Sequence, residues 1–178
     1  MCTGVRFADA AGNLYFGRNL DWCESYGEGV VITPRGASIP TQFLGSLSPE
    51  HACVGMGIVV GGVPCYFDCA NEAGLAIAGL NFPGYAQFAE APEKGAVNVA
   101  AYEFPLWVAA SFSTVAEVRK ALKDVVIVAK APSEGYGVAQ LHWLVGDGKE
   151  SIVIECQADG MHVYDDGLDV LTNQPTFD

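Results

Sequence analysis

Cys53-Val54-Gly55-Met56-Gly57-Ile58-Val59-Val60-Gly61-Gly62-Val63-Pro64-Cys65-Tyr66-Phe67-Asp68-Cys69 is the stretch on which the fold reading turns. Two runs rich in apolar and β-branched residues, 53–60 and 63–69, flank Gly61-Gly62, a dipeptide that supplies positive φ in a two-residue hairpin turn. The first run carries no charge and the second only Asp68, which suits strands buried on both faces. Residues 74–80, small and apolar and bounded by Asn81 and Pro83, follow as a further strand. The 82–95 stretch that follows has the Gly, Pro and aromatic content of a binding loop.

Working outward, residues 5–8 and 14–19 read as two strands joined by the turn Ala10-Ala11-Gly12-Asn13. Residues 29–33 form another β-branched run, stopped by Pro34, and 36–50 is polar and loop-like. Toward the other end, 140–145 and 151–156 flank Gly146-Asp147-Gly148-Lys149, a hairpin signature. Short strands follow at 161–164 and 169–171. Helical patterning is confined to the middle. Residues 99–112 are apolar nearly all round, as in a helix buried between layers, with Pro105 starting or kinking a segment. Thr114 and Glu117 form a capping box, after which Val115, Val118, Leu122 and Val125 fall on one helix face. Strand pairs with short turns and grouped central helices predict an α+β fold with largely antiparallel sheets. No repeat, low-complexity segment or interdomain linker divides residues 1–178.

Composition narrows the function classes. Of 178 residues 51% are hydrophobic and 17% charged, so the chain has material for a core, unlike disordered sequences. A net charge of −12 works against nucleic acid or an anionic membrane as partner. Arg6 and Asp9 interrupt the start before a signal-like apolar run develops, and the uncharged runs are broken by Gly and Pro. The reading is a soluble, cytoplasmic protein. Among the six cysteines, Cys53, Cys65, Cys69 and Cys156 sit in apolar surroundings as small core residues. Cys65 and Cys69 lack the second pair a zinc site needs, so no metal is expected.

Cys2 differs by position. Once Met1 is removed, one residue carries both a thiol and a free α-amine, with reference pKa values of about 8.5 and about 7.7–8.0. Such an amine can take the thiol proton near neutral pH and return one to a leaving amine. Gly17-Arg18-Asn19-Leu20-Asp21-Trp22 places a cation and a carboxylate at the end of the strand expected to pair with the one after Cys2. Arg18 can stabilise a thiolate, and Asp21 can accept a hydrogen bond from the α-ammonium; the two also read as an ordinary solvated pair. Asn81 and Asn173 each stand where a strand opens into a loop, with amides suited to an oxyanion, though Asn also occupies turns for conformational reasons. His51, His142 and His162 read as structural or surface residues, and a histidine-assisted thiol enzyme stays open as an alternative.

Several segments taken together resemble the choloylglycine hydrolase family, which comprises conjugated bile acid hydrolases and penicillin V acylases. They are Met1-Cys2-Thr3-Gly4, Tyr15-Phe16-Gly17-Arg18-Asn19-Leu20-Asp21-Trp22, Tyr66-Phe67-Asp68-Cys69-Ala70-Asn71-Glu72, residues 74–85, Glu103-Phe104-Pro105-Leu106-Trp107-Val108 and residues 171–178. The likeness is strongest to the bile salt hydrolase branch of gut bacteria. It implies an αββα sandwich of the N-terminal-nucleophile hydrolase type, with Cys2 as nucleophile, Arg18 and Asp21 supporting it, and Asn81 and Asn173 forming the oxyanion site. The implied reaction cleaves the amide joining a bile acid to glycine or taurine, as in glycocholate and taurocholate, without metal or organic cofactor. Asn81 stands where the penicillin acylase branch tends to carry Tyr, which favours bile salts over penicillin V. Trp22, Tyr26, Met56, Phe82, Tyr85 and Phe88 are candidates for the apolar wall that a sterol body requires, and each reads equally well as a core residue.

Members of that family are considerably longer, and a further active-site Arg of their pattern lies beyond residue 178. The resemblance therefore implies that residues 1–178 are the N-terminal catalytic part of a single domain, truncated at the C-terminus, inactive or poorly stable alone, and homotetrameric at full length. Two other readings stand beside bile-conjugate hydrolysis: a penicillin V acylase or other N-acyl amidase, and an inactive bile-acid-binding fragment.

Overall fold

The computed structural model describes residues 1–178. The first five strands are β1 (Thr3–Ala8), β2 (Leu14–Asn19), β3 (Gly29–Thr33), β4 (Ile39–Thr41) and β5 (Gly45–Leu47). Then come β6 (Cys53–Val60), β7 (Val63–Asn71), β8 (Ala76–Asn81) and β9 (Val97–Ala100). Helices α1 (Phe104–Ser111) and α2 (Val115–Ala121) precede β10 (Val125–Val128), β11 (Leu141–Gly146), β12 (Ser151–Gln157), β13 (Gly160–Asp165) and β14 (Val170–Thr172).

Seven strands form one sheet in the order β13-β12-β11-β8-β7-β6-β3, antiparallel at every step. A smaller sheet, β14-β1-β2, packs on one face of it. Strand alternation explains why β11 and β12 carry apolar side chains on both faces through their middle positions. Trp143, Val145, Ile152 and Ile154 point toward α1 and α2, where they meet Phe104, Leu106, Val108, Val115 and Val118. Their neighbours Leu144 and Val153 point the other way, into a second core with Cys2, Ala78, Leu80 and Leu171. The layers run helices, large sheet, small sheet, which are three of the four layers of an αββα sandwich. A β-carbon on Gly4 would stand 3.1 Å from Leu144 Cδ2, so the glycine lets β1 lie close on β11. That closeness draws Cys2 between the sheets.

The expected hairpin forms across Gly61-Gly62, with φ of 59° and 83°. Helix α2 starts as expected, Thr114 Oγ1 accepting from the Glu117 N–H at 3.2 Å. Helix α1 is buried from Phe104 to Ala110, and Pro105 sits in its first turn, where a missing N–H costs nothing. Three expectations are corrected. Val99 and Ala100, expected to start the helix, instead end a strand, β9, that pairs in parallel with β10. Val125 belongs to that β10 partner and not to the α2 face. Within 36–50, expected to be loop, β4 and β5 form a small antiparallel ladder closed through Gly45, at φ 76°.

Asn71 ties the helical layer to the large sheet. Its Nδ2 donates to the carbonyls of Ala109 (2.8 Å) and Phe112 (2.7 Å) at the end of α1. Its Oδ1 accepts from the N–H groups of Ala73 (3.0 Å) and Leu75 (3.1 Å) in the β7–β8 turn. Alanine there would strand buried donors and acceptors. Asn71→Ala is expected to cost about 3 kcal/mol in urea unfolding; a loss below about 1 kcal/mol would show that the amide does not link the layers.

Candidate active site

Three strand ends converge on Cys2. Thr3 pairs with Thr172, so the next step of that ladder places Cys2 against Asn173. Cys2 is 2% exposed, and its backbone N–H donates to Asn173 Oδ1 at 2.6 Å. Asn173 Nδ2 donates in turn to the backbone carbonyl of Asn81, also at 2.6 Å. Those partners fix the orientation of the amide, since one demands an acceptor and the other a donor. Asn81 is the last residue of β8, and Asn173 follows β14 directly.

A cleft of about 180 Å³ opens here, lined by Met1, Cys2, Asp21, Trp22, Asn81, Pro83, Asn173 and Gln174. Four of the five residues expected to do chemistry therefore share one cavity. The Met1 ammonium pairs with the Asp21 carboxylate, both exposed. Asp21 thus faces a chain-terminal ammonium, although the nitrogen it holds is that of Met1 and not of Cys2.

Arg18 lies apart from this cleft. It pairs across the ladder with Gly4, and its side chain runs between the sheets with 6% exposure. Nη2 donates to the Gly79 carbonyl at 2.8 Å, two residues before Asn81, and Nη1 stands 3.6 Å from Asp68 Oδ2. Its Nε is buried without a partner. With Phe16, Asp68, Ala70 and Ala76 it lines an adjoining recess of about 140 Å³. Burial pushes the Asp68 carboxyl above the ordinary carboxylate range, against the pull of the Arg18 cation. Asp68 was not singled out for a role in the sequence; its standing as the one charge in the 53–69 hairpin was the available signal.

The expected apolar wall is only partly present. Trp22 lines the cleft and is 45% exposed. Tyr26 is exposed and meets Phe67 edge-on at 6.0 Å. Met56 sits opposite Asp68 on β6, exposed, and is not among the cleft residues. Phe82 is corrected: it is wholly buried, stacked on His142 at 4.2 Å and under Tyr85 at 5.2 Å. It supports the cleft from below and offers no surface, whereas Tyr85 above it is exposed. Phe88 is likewise packed, against Trp143 at 5.7 Å.

No histidine lines the cleft. His51 bonds Ser113 Oγ at 3.0 Å, and His162 bonds Asp159 at 2.8 Å on the surface. His142 is buried between Glu155 and the Thr172 carbonyl. All six cysteines are free. Burial raises the Cys53 and Cys65 thiols to about 11 and the Cys156 thiol to about 12, so these three stay protonated and unreactive.

Comparison with known proteins bears on the family and the fold. The family model described as linear amide C–N hydrolases, choloylglycine hydrolase family, matches residues 2–178. A bile salt hydrolase/transferase of Bifidobacterium longum subsp. longum is 58% identical over 179 residues, covering 100% of this chain and 56% of that protein. A conjugated bile acid hydrolase of Lactobacillus gasseri is 53% identical, covering 99% of this chain and 56% of its own length. The chain thus spans about half the length of the curated relatives it matches. The crystal structure of the R18L variant of conjugated bile acid hydrolase from Clostridium perfringens superposes with a TM-score of 0.94 at 37% identity, over 99% of this chain and 54% of that one. A penicillin V acylase from Agrobacterium tumefaciens, at 22% identity and a TM-score of 0.79, shares the fold.

The Arg18–Asp68 pair yields a pH test. Because the folded-state value of Asp68 is raised, the folded protein binds more protons than the unfolded chain between the ordinary carboxylate value and the raised one. Stability from this group therefore falls as pH rises through that window. Arg18→Gln removes the opposing cation and is expected to move the Asp68 midpoint further upward in a ¹³C-carboxyl NMR titration. A midpoint that stays put or drops would mean that the guanidinium does not act on Asp68.

Proposed function

The chain belongs to the choloylglycine hydrolase family of linear amide C–N hydrolases, and we propose that residues 1–178 form the N-terminal catalytic part of an enzyme that hydrolyses glycine- and taurine-conjugated bile acids through Cys2. The observation that carries this reading is the single cleft gathering Cys2, Asp21, Asn81 and Asn173. The names of the bile-salt-hydrolysing relatives support the substrate class.

Removal of Met1 turns the Cys2 nitrogen from an amide into an amine. Asn173 Oδ1, already 2.6 Å from that nitrogen, accepts one of its protons and holds its lone pair in a defined direction. Asp21, which pairs with the chain-terminal ammonium when Met1 is present, is the carboxylate placed to steady the new terminus. The amine takes the thiol proton, and the sulfur attacks the amide carbonyl of the conjugate. Negative charge gathers on the carbonyl oxygen, toward which the Asn81 side-chain amide and the second N–H of Asn173 Nδ2 donate. Collapse of the intermediate breaks the C–N bond, and the ammonium gives its proton to departing glycine or taurine. Water, deprotonated by the same amine, then cleaves the thioester and releases the bile acid, restoring thiol and amine. Trp22 and Tyr85, exposed near the cleft, supply apolar surface for the steroid body.

Substrate comparison and two variants test this reading in the full-length enzyme of which residues 1–178 are proposed to be the N-terminal part, with loss of Met1 verified by intact mass. Turnover of glycocholate and taurocholate is expected to exceed that of penicillin V. Cys2→Ser, and a form in which Met1 is retained, are each expected to lose roughly 10³-fold or more in kcat. Hydrolysis undiminished in either form would end the proposal, and penicillin V as the preferred substrate would reassign the reaction to the acylase branch.

A further inference from the structure

We propose that His142 and Glu155, which touch neither the thiol nor the cleft, are positioning residues that set the Asn173 amide against the Cys2 nitrogen; the inference rests on the function proposed above. Strand β14 has three residues and lies at the edge of its sheet, with hydrogen bonds to β1 alone. By itself so short an edge strand holds the residue beyond it loosely. His142, on β11 of the large sheet, supplies a tether from the other side: its Nε2 donates to the carbonyl of Thr172, the residue before Asn173, at 2.9 Å. Since a carbonyl only accepts, Nε2 must carry a proton.

Glu155 completes the arrangement. Its Oε1 lies 2.8 Å from His142 Nδ1, and both side chains have 0% exposure. Glu155 Oε2 accepts from Gln157 Nε2 at 2.9 Å and from the Phe177 N–H at 3.4 Å, beyond Asn173 along the same terminal segment. The pair thus grips that segment on both sides of Asn173. The His142 ring also stacks on Phe82 at 4.2 Å, with 7° between the planes, and Phe82 is the neighbour of Asn81. One buried imidazole therefore steadies both asparagines, Asn173 through a hydrogen bond and Asn81 through a stacked ring. An ion-paired or proton-sharing couple in a core is often no more stabilising than an apolar pair of like volume. Its presence here is accounted for by what it holds.

The test separates tethering from stability. His142→Phe with Glu155→Leu replaces both partners by apolar groups, which leaves no orphaned charge and keeps the ring stacked on Phe82. In the full-length enzyme freed of Met1, this double variant is expected to melt cooperatively but several degrees below the parental temperature, because the Thr172 carbonyl and the Phe177 N–H lose their partners. Its kcat on glycocholate is expected to be 10- to 100-fold lower with KM within about threefold, the order of loss that small misplacements produce. Alkylation of Cys2 by iodoacetamide, which needs no bile conjugate, is expected to slow about tenfold by the same misplacement. Glu155→Gln should restore both rates to within about threefold, because its amide can donate to Nδ1 while its oxygen still accepts from Gln157 and Phe177. If the double variant does not fold, Glu155→Asp, which draws the carboxylate back by one methylene, is expected to slow alkylation in its place. Parental kcat and alkylation in a folded double variant or in Glu155→Asp would overturn the proposal, as would a Glu155→Gln protein as slow as the double variant. A parent inert toward every bile conjugate would sink the proposed function instead, and the alkylation rates would still decide the tether.

Discussion

Everything at the site depends on one side-chain amide. Asn173 joins the start of β1 to the end of β8 by two hydrogen bonds of 2.6 Å, and it does so from a segment 171 residues away from Cys2. Each bond runs between groups that are largely out of water, where a missing partner costs far more than a formed bond contributes. The geometry is therefore determined from both ends: neither the Cys2 nitrogen nor the Asn81 carbonyl can drift without stranding the amide. A nucleophile whose base is its own nitrogen needs this kind of restraint, because the lone pair must be aimed as well as near.

The two-core arrangement explains how a thiol at a chain terminus becomes buried. Termini ordinarily fray. Here β1 is sandwiched in its own sheet between β14 and β2 and pressed onto the large sheet through the space that Gly4 leaves open. Cys2 then counts as part of a hydrophobic core with Leu80, Leu144 and Leu171 while Met1, one residue earlier, is fully in solvent contact. Removing an exposed residue changes little in packing and everything in chemistry.

What the sequence disclosed follows the range of the forces involved. Hairpins were legible because Gly61-Gly62 and the loop around Asp147 encode turn geometry locally, and α2 was legible because Thr114 caps it. The end of the strand at 97–100 was misread because a uniformly apolar run has no period, and its state is settled by pairing with β10 some 28 positions on, Val97 with Val125. The same limit applies to the site. Cys2, Asp21, Asn81 and Asn173 could be named only together, since each alone also had an ordinary reading, and their meeting is consistent with strand order. The orientation of the Asn173 amide, the crossing of Arg18 to Asp68 and the burial of Phe82 under Tyr85 are outcomes of tertiary packing that no spacing rule contains.

Charge poses the remaining problem, and the fold contains an answer to it. A chain with a net charge of −12 repels the anionic conjugates it is proposed to cleave. Of its nine basic residues, Arg18 is held between the sheets beneath β8, and its nearest carboxylate stands 3.6 Å away, beyond hydrogen-bonding distance. Burial raises the Asp68 carboxyl above the ordinary carboxylate range, against the pull of the Arg18 cation. A cation only partly cancelled in a low-dielectric gap exerts more field than one in water. On the proposed reading, long-range charge opposes the approach of an anionic conjugate, and binding would draw on apolar surface such as Trp22, which lines the cleft, while Arg18, which lies outside the cleft, would act on it only at a distance.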